Sequence, residues 1–135
     1  MINLRYILGS HYYKINKDAH AFVRLTNNAT SYFNNFPSKE KSDFYQNLVN
    51  KLAEMVPISN DRITFNSYSI EPLTQQILIS IKFLKSNDNS VMDVETIIKD
   101  LDTLIRNKEY TLISKNDLTS MLDESYGLVK HSKWN

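Results

Sequence analysis

Between Gln75 and Leu84 the chain alternates: Ile77, Ile79, Ile81 and Phe83 fall on one side, and Gln76, Ser80 and Lys82 on the other. A period of two in a run rich in β-branched residues predicts a half-buried strand. It is the clearest such run here and is placed at the centre of a sheet. Ala21, Val23 and Leu25 alternate with His20, Phe22 and Arg24, so 19–25 reads as another strand, ended by the turn-favouring cluster Thr26-Asn27-Asn28-Ala29-Thr30. Arg62 to Glu71 reads as a third, but its apolar phase slips between Ile63/Phe65 and Tyr68/Ile70, which a bulge near Asn66-Ser67 reconciles. The short connector Glu71-Pro72-Leu73-Thr74 makes the second and third strands a hairpin.

Helical spacing appears twice. Phe44, Leu48, Leu52 and Val56, flanked by Tyr45, Val49 and Met55, predict an amphipathic helix over 39–56, with Ser38 as cap, Glu40 in the first turn and Pro57 as stop. Val91, Val94, Ile98, Leu101 and Ile105 predict a second over 91–107, opened by a Ser90/Asp93 capping box. Beyond it, Tyr110 to Ile113 reads as a short edge strand and Ser114 with Asp117 as the capped start of a short helix carrying Leu118, Met121 and Leu122 inward. Tyr126-Gly127-Leu128-Val129 reads as the last strand. From residue 19 the order is strand, helix, strand, strand, helix, strand. That order predicts an α+β, ferredoxin-like split βαβ sandwich, with a four-stranded antiparallel sheet and two main helices on one face. Residues 19–129 form the domain, 1–18 an N-terminal extension with a candidate strand at Ile2, Leu4 and Tyr6, and 130–135 a frayed tail.

Composition narrows the chemistry. With 135 residues, 41% hydrophobic and 23% charged, a core can form without cross-links, and the absence of cysteine removes disulfides and thiolate chemistry. Sixteen basic against fifteen acidic side chains leave a net charge of +1, which gives no drive toward phosphate backbones or anionic bilayers. No nucleic-acid partner is expected. No apolar run approaches the ~18 residues of a membrane span, so a membrane is expected only through a segment absent from this chain. Two glycines, Gly9 and Gly127, cannot build a phosphate-cradling loop.

The stretches Phe22 to Asn27, Phe44 to Met55 and Arg62 to Phe83 together resemble a SEA domain, a module of the extracellular parts of mucin-like and other surface proteins. The resemblance implies a ferredoxin-like fold and, in many members, self-cleavage at a Gly-Ser step in the hairpin between the second and third strands. Here the hairpin reads Pro72-Leu73-Thr74-Gln75-Gln76-Ile77, without Gly or Ser. The strained turn residue and the attacking hydroxyl of the family are missing, so autoproteolysis is not expected.

Other candidates have plain readings. His11, His20 and His131 are far apart in sequence and lack metal-pair spacing, so no metal or other cofactor is expected. Asp93, Glu95, Asp100 and Asp102 lie largely off the stripe of their helix and read as a solvated face. Phe22 and Tyr68 suggest a stacking platform on the open sheet face, but the third strand lacks the basic, glycine and aromatic pattern of RNA-recognition domains. Asn28-Ala29-Thr30 is the one N-glycosylation sequon, placed in a loop. The reading is therefore a non-enzymatic extracellular or cell-surface spacer or interaction module with an unidentified protein or glycan partner. The alternatives are an intracellular ligand-binding regulatory domain of the same fold and a small enzyme using the open sheet face.

Overall fold

In the computed structural model, residues 17–88 and 90–131 are described. The strand expected at residues 2–6 and the tail from 132 lie outside them. Four strands form one antiparallel sheet: β1 (Ala19–Arg24), β2 (Ile63–Ile70), β3 (Ile77–Phe83) and β4 (Leu128–Lys130), in the order β2-β3-β1-β4. The parallel pair β1 and β2 is split by β3, which makes the fold ferredoxin-like α+β. The run of alternating isoleucines is the innermost strand together with β1, and Ile79 and Ile81 are 0% exposed.

The slipped phase of β2 resolves as expected. Phe65 pairs with Ile81 and Tyr68 with Ile79, the register shifting between Phe65 and Ser67. One extra residue at Asn66 thus returns Tyr68 and Ile70 to the face of Ile63 and Phe65. Helices α2 (Ser38–Met55) and α3 (Val94–Arg106) cover that face. The first buries Tyr45, Leu48, Val49, Leu52 and Ala53, the second Val94, Ile97, Ile98, Leu101 and Ile105. Val91 lies before α3 and is exposed, whereas Ile97 takes a place on the stripe.

Several local expectations are corrected. Thr26 to Thr30 does not form a turn: Thr26 is an N-cap, its hydroxyl accepting from Ala29 N, and α1 (Asn27–Phe33) follows. Asn and Thr favour caps as strongly as turns, and Phe33, packed edge-on against Tyr45, decides for the helix. Ser38 is the first residue of α2, after Pro37, and bonds Tyr68 Oη rather than capping. Asp93 alone caps α3, accepting from Thr96 N at 2.9 Å, while Ser90 turns back to Asp88. The expected edge strand at 110–113 is instead a series of 3-10 turns (Lys108–Tyr110, Leu112–Lys115), and the expected short helix is a single turn (Thr119–Met121) opened by Asn116. β4 reaches one residue past the predicted boundary, and His131 N donates to His20 O.

Entry into β4 depends on Gly127. Its φ is +69°, and a Cβ there would fall 2.3 Å from Asp102 Oδ1 and 2.6 Å from Arg106 Nε. Those atoms hold the strand, Asp102 accepting from Leu128 N and Arg106 donating to Tyr126 O, both at 2.8 Å. A glycine is required by backbone angle and by space together.

Candidate functional site

The hairpin between β2 and β3 is where the SEA resemblance would put chemistry, and it sits inside a dense polar cluster. Arg24, the last residue of β1, alternates with core-facing Val23 and so projects from the helix-free face. Leu25 bridges to Leu122, and Asp123 N donates to Arg24 O at 2.7 Å, which lays the loop before β4 beside the end of β1. The guanidinium then meets two carboxylates, donating from Nε to Asp123 Oδ2 at 3.0 Å and from Nη1 to Glu71 Oε1 at 2.9 Å. Tyr126 covers it, 4.9 Å from ring centroid to Cζ.

Gln76 knits the same groups from β3. Its Nε2 donates to Leu25 O and to Asp123 Oδ2, each at 2.9 Å. Sequence alternation had put Gln76 and Ser80 on a polar face, but both are only 5% exposed. A face free of helices is not therefore a face open to water. The turn is closed by Glu71 N to Gln76 O and Gln75 N to Glu71 O, both 2.8 Å, with Gln75 in the left-handed region at φ 63°.

The cluster sets one guanidinium against two carboxylates, and hydrogen bonds share the excess negative charge. Hydrogen bonds from Thr74 and from Arg24 hold the Glu71 carboxyl below its ordinary value. Burial pushes the Asp123 carboxyl up, but bonds from Ser125, Gln76 and Arg24 outweigh it and the net direction is down. Burial opposes the charge on Arg24, and the two carboxylates more than restore it. Tyr126 is raised by burial and by the charge of Glu71, so its phenol stays protonated. Thr74 Oγ1 contacts Glu71 Oε1, a hydroxyl beside a carboxylate. That carboxylate is already committed to Arg24 and is a weaker base than a free one, so the pair lacks an activated nucleophile.

The remaining candidates separate in space. Asn28 is exposed on the first turn of α1, not in a loop, and Thr30 of its sequon is buried with its hydroxyl accepting from Ile77 N at 3.1 Å. His20 and His131, remote in sequence, become cross-strand neighbours through the β1–β4 pairing. His11 lies outside the described residues, and among those residues no third metal-binding side chain joins the two histidines. Glu95 pairs with Lys130, and Asp102 with Arg106. Phe22 lies on the helix-free face, edge-on to His131 at 5.6 Å. Tyr68 does not join it: the bulge turns it to the core side, edge-on to Tyr45 at 5.3 Å. The two-aromatic platform is thus absent.

No family model, curated protein or solved structure matches this chain. Arg24, Glu71, Gln76 and Asp123 escaped the sequence reading because they stand 47 and 99 positions apart and share no local pattern. The available signal was a charged Arg24 on a strand whose other phase is fully apolar.

Proposed function

We propose that the chain is a non-enzymatic SEA-like module of an extracellular or cell-surface protein, a spacer or protein-interaction domain that does not cleave itself. The observation that carries this reading is the state of the hairpin. Its hydroxyl, on Thr74, leans on a carboxylate that is held ionised and ion-paired. The left-handed residue is Gln75, after that hydroxyl, whereas an acyl shift onto it would need strain in the bond before it. The cluster instead fastens the ends of β1, β2 and β3 to the loop that leads into β4, a fitting arrangement for a module whose task is to stay whole.

The test is intact mass. After prolonged incubation at neutral pH the purified chain is expected as one species of 15.8 kDa, because an unactivated peptide bond lasts for years. Two fragments splitting between residues 71 and 77 would overturn the reading.

A further inference from the structure

At the other end of the sheet residues of the loop after α2 and residues 84–87 and 90–92 line a cleft of about 910 Å³. Ile58, Leu84, Val91 and Met92 give it apolar walls, and Arg62, Lys85 and Asp61 line it with charge. Arg62 is 8% exposed. Its Nε donates to Leu84 O at 2.9 Å, but Nη2 is buried without a hydrogen-bond partner among the described residues. Among the described residues its guanidinium makes no ion pair with a carboxylate.

A guanidinium cannot shed its proton to escape this situation, and one carbonyl does not offset the desolvation of a full charge. The group that would complete it is an anion with two acceptor oxygens, matching the planar fork of the guanidinium. Arg62 and Lys85 line the cleft with Asp61, and Asp18 and Asp88 bond its lining residues Lys85 and Ser90, so no positive surplus draws a phosphate dianion and a monoanion is the better fit. The apolar walls require the rest of the ligand to be hydrocarbon. We infer that this cleft is a binding site for a small amphipathic carboxylate, its head on Arg62 and its tail against Ile58, Val91 and Met92. Asp61, the acid that lines the same cleft, is the partner for an α-ammonium if the ligand is an amino acid rather than a simple acid.

The site is tested by amide chemical-shift titration of the full chain with 4-methylpentanoate, L-leucine and the neutral 4-methylpentanamide. Saturable shifts confined to 57–62 and 84–92 are expected with the carboxylate and not with the amide. Tighter binding of leucine than of 4-methylpentanoate assigns an amino acid, and weaker binding assigns a simple acid. Val91→Asp, at an exposed wall position, should weaken binding about tenfold or more by charge repulsion without disturbing the core. Arg62→Met should abolish it. Equal response to the amide, no saturable shift with either acid, or undiminished binding by Val91→Asp would overturn the proposal. The Val91 variant keeps the test valid should Arg62→Met fail to fold.

Discussion

Arg24 and Arg62 stand at opposite ends of one sheet, Arg24 opposite Leu78 and Arg62 one residue before the Ile63–Phe83 pair. Arg24 keeps 15% of its side chain exposed and has two carboxylates, a serine hydroxyl and an aromatic ring around it. Arg62 is more deeply buried and has one carbonyl. Were arginines buried here only for packing, the deeper one would need the richer set of partners. The reverse distribution teaches that the hairpin end is finished by the fold itself, while at the other end the described residues leave a buried guanidinium without a carboxylate.

The scale for any change at either end is set by the core they share. Ile79→Ala is expected to cost about 2–5 kcal/mol in a urea titration, since the site is fully enclosed and collapses poorly. A loss below about 1 kcal/mol would mean that β3 is not the common foundation. The next largest effect should separate the two arginines. Arg24→Met strands Glu71 and Asp123 beside each other and should cost about 2 kcal/mol at pH 7. Arg62→Met removes an uncompensated charge along with one hydrogen bond and should stay within about 1 kcal/mol of neutral, or stabilise. Equal losses would erase the contrast.

Acid sharpens the same comparison. Both carboxyls of the hairpin cluster are held below their ordinary 4.5 and 3.8. The folded state therefore binds fewer protons than the unfolded one, and the stability this gives is present above those values and lost as pH falls through the lower, folded ones. Removing Arg24 should make that acid limb shallower, with the bonds from Thr74, Ser125 and Gln76 keeping part of it, and removing Arg62 should leave it unchanged. Tyr45 supplies the smallest effect and a control. Among the described residues its hydroxyl is also buried without a partner, and its ring packs against Phe33, Phe65 and Tyr68 rather than lining the cleft of Arg62. Tyr45→Phe should be neutral or stabilising by up to about 1 kcal/mol and leave the titration with 4-methylpentanoate unaltered. A changed ligand response would mean that the cleft is read through general softening rather than through Arg62.

The sheet was legible because its signals are local: alternation in 77–83, a phase slip at Asn66, and stripes at three- and four-residue spacing in α2 and α3. Where two local rules compete, sequence could not choose. Thr26 and its asparagines suit a turn and a helix cap alike, and only the contact of Phe33 with Tyr45, 12 residues on, settles α1. Residues 108–121 carry apolar side chains without a sustained period, and they fold as 3-10 turns whose inward groups, Ile113 and Thr119, bond each other through Thr119 Oγ1 and Ile113 O. Charge pairing was the least legible of all. Nothing near Arg24 announces that its partners are at 71 and 123, and nothing near Arg62 announces that among the described residues it has no carboxylate.

The order of strands has a consequence for how the chain is made. β1 leaves the ribosome before the other three strands, yet its neighbours on the two sides are β3 and β4, so it waits for residues 77–83 on one edge and 128–130 on the other. Such distant pairings slow folding and prolong the life of an unpaired edge. A nascent chain stalled before residue 128 presents the backbone of Ala21 to Val23 unpaired on that side, flanked by Phe22. The three residues of β4 thus act as the seam that closes the sheet, and the span before they emerge is the interval in which a chaperone would matter most.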